Sequence, residues 1–283
     1  GKQAAATIVP ISLDELPNVS CAQQTSLNIV AHQDDDLLFM NPDITNEIKA
    51  GDCERTVYVT AGDAGNTSLY WLGREHGSEA AYSRMLGSNE IWVERIVRLS
   101  DSQYIVVANP RGNSKVSLIF MRLPDGNVRG GGFKQTHNES LKSLLTSEHK
   151  TLRSVDGQSS YTAAELTNAL ASLMRVYNPS EVQTQSSLNS LRANDHSDHQ
   201  SVGRFTTSAY AQYESHGAAP IRYFAGYQIS PLPENVLGVE LQHKYDECLE
   251  YAKFDGSVCR SVVDCGKGTY YGSFLHRQYT NPN

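Results

Sequence analysis

His32 is followed by three consecutive carboxylates, Asp34, Asp35 and Asp36, directly after the apolar run Leu27 to Ala31. A buried strand that ends in one imidazole and three acids carries a desolvation cost that folding alone gives no reason to bear. Far downstream, Asp195-His196-Ser197-Asp198-His199 brings the same two residue types together again. Taking His32 and Asp35 from the first stretch and His199 from the second yields two imidazoles and one carboxylate. That is a zinc-type set of three protein ligands with a position left for water, the donor set of metal-assisted hydrolysis. Each stretch alone has a bland explanation, a solvated turn for the acids and a helix cap for the histidines. Together they hold more titratable groups than turns and caps require.

The elements around them place both stretches at one rim. Leu27 to Ala31 and Thr56 to Thr60 read as strands, the second ending in Ala61-Gly62-Asp63-Ala64-Gly65. Between them Ile44 to Ala50, with Gly51 behind it, is long enough for a crossover helix, which makes a βαβ unit and a parallel sheet. A further helix is expected from Tyr70 to Leu86 with Gly87 as its stop. Tyr104 to Ala108 and Val116 to Met121 flank Asn109-Pro110-Arg111-Gly112-Asn113, a hairpin signature. Thr162-Ala163-Ala164-Glu165 is a capping box opening a helix whose Leu166, Leu170, Leu173, Met174 and Tyr177 share a face, ended by Asn178-Pro179. Glu181 to Gln185 and Ile221 to Ile229 are further strand candidates. Val202, Phe205, Ala209 and Tyr213 recur at spacings of three and four, so His196 and His199 open a helix. A last helix carries Leu241, Tyr245, Cys248, Leu249 and Ala252 on one side.

The fold class expected is therefore α/β, a Rossmann-like, mostly parallel sheet flanked by helices, with a small antiparallel insertion at about 100–135. One domain spans 1–283, of which 1–26 is an irregular N-terminal extension. In such sheets ligands bind beyond the carboxyl ends of the strands, where both stretches lie. A Rossmann nucleotide-binding enzyme is a weak rival, because no Gly-x-Gly-x-x-Gly follows the first strand and carboxylates there repel pyrophosphate.

The 31 acidic against 24 basic side chains leave a formal charge of −7 with no basic cluster, which excludes a nucleic-acid partner. No apolar run approaches the roughly 18–20 residues of a transmembrane segment. Of the five cysteines, Cys21 and Cys53 each precede a strand start and are expected to pair, Cys259 and Cys265 to close a short loop, and Cys248 to remain over on an apolar helix face. Glycosylation triplets at Asn18, Asn66 and Asn138 fit the same picture of a secreted, mature chain, whereas Pro179 disqualifies Asn178. The alternative is a cytoplasmic protein with reduced thiols.

Ala31-His32-Gln33-Asp34-Asp35-Asp36 and the later His196-Ser197-Asp198-His199 resemble the PIG-L or LmbE-like zinc-dependent N-deacetylases. Their hallmark is Ala-His-Pro-Asp-Asp-Glu after the first strand and a later His-x-x-His. This chain differs at Gln33, for proline, and at Asp36, for glutamate. Thr60-Ala61-Gly62-Asp63-Ala64-Gly65, Tyr70-Trp71, Arg74-Glu75 and Arg122-Leu123-Pro124-Asp125-Gly126 look like one branch of that family. The resemblance implies His32, Asp35 and His199 as ligands of Zn2+, Asp34 as general base, and His196 as the group that polarises the amide carbonyl and stabilises the oxyanion. Asp63, Arg74 and Glu75 are candidate sugar contacts, although Arg74 and Glu75 are just as readily a surface ion pair; Tyr70 and Trp71 either stack on a sugar face or simply pack, and Asp36 and Asp198 are supporting groups.

The expected activity is removal of an N-acetyl group from an N-acetylglucosamine-type amino sugar or glycoconjugate. The rival expectation is a catalytically idle carbohydrate-binding protein that kept the fold.

Overall fold

The computed structural model describes residues 9–17, 19–89, 91–188, 195–213 and 219–281. In chain order the elements are β1 (Ile11–Ser12), β2 (Thr25–Val30), α1 (Asp35–Phe39), α2 (Asp43–Lys49), β3 (Cys53–Thr60), α3 (Ser68–Leu86), β4 (Trp92–Ser100), β5 (Gln103–Pro110) and β6 (Val116–Leu123). They continue with α4 (Leu141–Leu145), β7 (Leu152–Arg153), β8 (Ser160–Tyr161), α5 (Ala163–Tyr177), β9 (Glu181–Gln185), α6 (Ser197–Gln212), β10 (Ile221–Phe224), α7 (Gly238–Ala252) and α8 (Tyr270–Leu275).

The apolar runs become strands because both of their faces are covered. In β2, Leu27 and Ile29 enter the core beneath α4, α5 and α6, whereas Val30 enters the core beneath α1, α2, α3, α7 and α8. Burial on both faces is why the run lacks polar alternation. The helices supply the matching faces. The capping box of α5 forms as expected, Thr162 Oγ1 accepting the Glu165 N–H at 3.1 Å and Glu165 Oε1 the Thr162 N–H at 3.0 Å. Asn178 then ends the helix in the left-handed region. Truncating a buried leucine of this face, such as Leu170, would cost about 2–5 kcal/mol.

One eight-stranded sheet runs in the order β1-β4-β5-β6-β3-β2-β9-β10, and β5 alone is antiparallel to its neighbours. The antiparallel pairing expected in the middle of the chain is present, but it starts at Trp92 and is hydrogen-bonded into the main sheet through β6 and β3. A continuous apolar strand such as β6 is better buried inside a sheet than at the edge of a separate one. β7 and β8 form a small separate antiparallel pair.

Two expectations are corrected. The extension 1–26 is not wholly irregular, since Ile11–Ser12 pairs with β4 and Thr25 and Ser26 belong to β2. The strand expected at 221–229 stops at Phe224, and Tyr227–Ile229 is a 3-10 turn. Gly226 lies in the break, where only glycine fits, since a Cβ there would lie 2.5 Å from Asp195 Oδ1 and 2.8 Å from His199 Nδ1.

Both expected disulfides, Cys21–Cys53 and Cys259–Cys265, are formed, and Cys248 is free and buried. Asn66 and Asn138 are exposed, and Asn18 lies outside the described residues. No helix among the described residues is long and apolar enough to cross a membrane.

Candidate metal centre

β2, β3 and β9 lie side by side and parallel, so the loops after Val30, Thr60 and Gln185 open together at the carboxyl end of the sheet. The end of β2 is pinned from both sides. Gln185 Oε1 accepts the Ala31 N–H at 2.8 Å, and Thr60 Oγ1 donates to the Ala31 carbonyl at 2.9 Å. His32 therefore leaves a rigid strand end, and α6 brings His196 and His199 to the same place.

Asp34 decides how the adjacent acids divide. Its φ of +83° is left-handed, which few non-glycine residues adopt, and it turns successive side chains apart. Asp35 points inward, with Oδ1 3.1 Å from His199 Nε2 and Oδ2 3.6 Å from His32 Nδ1, and it accepts the His32 main-chain N–H at 2.8 Å. Asp34 points the other way, 3.5 Å from Arg74 Nη2. Asp36 accepts the Tyr58 and Tyr82 hydroxyls at 2.6 and 2.8 Å, so it anchors the turn to β3 and α3 and touches no histidine.

Each imidazole of the expected ligand set has one nitrogen held by a carboxylate. His199 Nδ1 lies 2.8 Å from Asp195 Oδ1, and His32 Nε2 lies 2.8 Å from Asp198 Oδ2. The remaining nitrogens, His199 Nε2 and His32 Nδ1, both turn to Asp35. This carboxylate–histidine pattern orients ligands in metal sites, and the donor atoms of buried His32, Asp35 and His199 all lie within 4.8 Å of one another. The residues thus fit a divalent cation of the zinc type. His32, Asp125, His196 and Asp198 form an adjoining buried group, with Asp125 Oδ1 3.8 Å from both His32 Nε2 and His196 Nε2.

His196 is the N-terminal cap of α6, and its Nδ1 accepts the Asp198 main-chain N–H at 3.0 Å. A neutral ring so engaged carries its hydrogen on Nε2, which faces Asp125 and the site.

Among the protein's own charges, burial opposes ionisation throughout and the neighbours decide the outcome. Burial pushes the Asp34 carboxyl up to about 8, with Arg74 opposing and Asp35 assisting. Burial also works against ionised Asp35, but His199 and His32 outweigh it and hold the group below the usual carboxylate range. His32 and His199 are raised because surrounding carboxylates, Asp125 and Asp35 for the first and Asp195 and Asp35 for the second, overcome burial; His32 reaches about 9. Burial and then His32 push His196 down to about 4. Burial lifts Asp36 to about 6.

The three residues expected to touch a sugar are turned to the protein. Asp63 Oδ1 accepts the Asp125 N–H at 2.8 Å and Oδ2 the Gly65 N–H at 3.1 Å, tying two rim loops together. Glu75 forms a bidentate pair with Arg122 at 2.8 and 2.9 Å. Arg74 donates to the Tyr251 hydroxyl at 2.8 Å, to the Gly62 carbonyl at 2.7 Å and to the Gln33 carbonyl, and lies 3.3 Å from Asp255. It binds the loop that presents Asp34. Trp71 is buried beneath the Arg122 guanidinium, and the Tyr70 hydroxyl is bonded to Ser257.

Asp195, Asp125 and Tyr227 are site residues that sequence reasoning did not single out. Asp195 had a signal, four residues before His199 at a helix start. Asp125 was hidden in a Pro-Asp-Gly turn, and Tyr227 in an expected strand.

Among solved structures the chain is similar to the 4-carboxy-2-hydroxymuconate hydratase GalB of Pseudomonas putida KT2440 (14% identity, 89% of this chain and 83% of that one, TM-score 0.47). It is similar to the zinc-inhibited form of teicoplanin deacetylase Orf2 (14%, 89% and 90%, 0.46). It is also similar to N,N'-diacetylchitobiose deacetylase of Pyrococcus horikoshii (13%, 86% and 75%, 0.43). No curated protein matches the chain. The family model described as PIG-L, GlcNAc-PI de-N-acetylase, matches residues 27–210, well over half of the chain, so this protein, with its buried histidine–aspartate centre at the carboxyl end of the sheet, belongs to the PIG-L deacetylase family.

Proposed function

We propose that the chain is a zinc-dependent hydrolase that removes an N-acetyl group from an N-acetylglucosamine-type amino sugar or glycoconjugate. The observation that carries this reading is the division of labour around Asp35. Two imidazoles, each held from behind by a carboxylate, present a nitrogen to the same buried acid, while the preceding acid, Asp34, faces away. Family membership and the names of the similar deacetylases support the substrate class.

His32, Asp35 and His199 would hold the ion, which when bound supplies a Lewis acid and brings the pKa of a water toward 7. Asp34 takes the proton of the attacking water as its oxygen bonds to the acetyl carbon. His196 donates Nε2–H to the carbonyl oxygen as negative charge develops there. Its Nδ1 remains engaged by Asp198, so a neutral ring serves in this role and has no second proton to give. Asp34 therefore also returns the proton to the nitrogen as the C–N bond breaks, leaving a free amine and acetic acid, which ionises to acetate in solvent. Arg74 holds the Asp34 loop in place from behind. The two disulfides support an extracellular setting for this chemistry.

Acetate release from N-acetylglucosamine and N,N'-diacetylchitobiose, measured before and after chelation, tests the reading. Release should stop on chelation and return with Zn2+; chelator-insensitive release would overturn it.

A further inference from the structure

Tyr270 is the most exposed ring of an aromatic row that starts at the centre. Tyr227 lies edge-on to His199 with ring centroids 5.1 Å apart, and its main-chain N–H donates at 3.0 Å to Asp195 Oδ1, the oxygen that also holds His199. Tyr227 stacks on Phe274 at 5.4 Å, and Tyr270 stands 6.2 Å from Tyr227. Tyr270 is 60% exposed, yet its ring is held edge-to-face by Phe274 at 5.0 Å and Tyr271 at 5.1 Å. Tyr270 therefore stands one ring removed from His199, with Tyr227 between them.

The wall is rigid. α8, which begins at Tyr270, is capped by Thr269 Oγ1 accepting the Gly272 N–H at 3.1 Å. It is tied to α7 by Lys244 Nζ donating to the Phe274 carbonyl at 3.0 Å. The loop before it is closed by Cys259–Cys265. An exposed aromatic ring locked in orientation is a preorganised surface, one that a flat, partly apolar ligand meets at little ordering cost. Trp71 is buried beneath the Arg122 guanidinium, and the Tyr70 ring already carries the Arg74 guanidinium 5.9 Å from its centroid.

Resting on the hydrolase reading above, we infer that Tyr227 and Tyr270 form the stacking wall for the pyranose ring of the substrate, Tyr270 being the residue that selects an N-acyl sugar over an open-chain N-acyl amine. The apolar C–H face of the ring lies on Tyr270 while the acyl group reaches the centre.

Two measurements test this. In kinetics with N,N'-diacetylchitobiose and N-acetylethanolamine, Tyr270→Ala should raise KM for the sugar about tenfold with kcat within about twofold, and leave the ring-free substrate unaffected. Tyr270→Phe should behave as wild type, because the ring face and not the hydroxyl makes the contact. An unchanged KM in Tyr270→Ala, or equal weakening for both substrates, overturns the inference. Calorimetry of N,N'-diacetylchitobiose binding to Asp34→Asn protein reads the same contact without turnover. Should wild type release no acetate, the hydrolase reading alone fails. The wall still stands if adding Tyr270→Ala weakens that binding about tenfold, and falls if binding is undiminished or absent.

Discussion

Buried carboxylates gather at both ends of the β2–β3–β9 strands, and the two ends behave in opposite ways. At the amino end Glu54 is fully buried, accepts the Asn28 amide at 2.8 Å and faces Glu47. Burial, and then the Glu47 charge, push its carboxyl well above the usual range, and Glu47 is raised too. At the carboxyl end Asp35 is just as buried, yet His199 and His32 keep it ionised. Burying acids therefore does not make a site. One end meets the cost of burial by holding protons; the other meets it with imidazoles, which leaves an anionic oxygen and two ring nitrogens converging on one point.

The largest effect expected from breaking this contrast is at the ligands. His199→Ala should lose the bound Zn2+, read by metal analysis, and at least about a thousandfold in kcat/KM. Asp34→Asn should keep the metal and lose about 10²–10⁴ in kcat, whereas an idle carbohydrate binder would show no activity to lose. Asp195→Asn leaves every ligand in place but changes the group behind His199, and should weaken Zn2+ affinity about 10–100-fold in a competitive chelator titration.

The smallest effect belongs to the other end. Glu54→Gln should leave hydrolysis unchanged and keep the Asn28 contact. The folded-state pKa of Glu54 is raised above its ordinary 4.5, so its favourable contribution is complete below that pH and declines as pH rises toward the folded value. Glutamine does not titrate. The melting temperature of Glu54→Gln should therefore gain on wild type as pH rises above 4.5. A gap that shrinks with pH would break the comparison.

How far the centre could be read in the sequence follows from distance along the chain. His32, Asp34 and Asp35 stood out because acids at the end of an apolar strand conflict with local burial, and α5 was announced by its own capping box. His196 and His199 were visible as residue types at a helix start, and the cysteine pairing followed from positions beside strand starts. The surroundings of Arg74 and Glu75 were not legible for the opposite reason. Their partners, Tyr251 and Asp255 for one and Arg122 for the other, come from remote segments, and nothing within α3 shows that both side chains turn inward. The wall at Tyr227 and Tyr270 was invisible because it depends on α8 docking against α7.

The sequence by itself determined which groups could do chemistry: two imidazoles and a run of acids, attached to a strand and a helix whose apolar patterns demand burial. Tertiary structure alone decided which way each acid faces. The left-handed turn at Asp34 sends neighbouring side chains in opposite directions, and the parallel pairing of β2 with β9 carries α6 across to meet them. Side-chain direction depends on one backbone dihedral, and the meeting depends on contacts between segments far apart in the chain, so neither is a property of any local stretch.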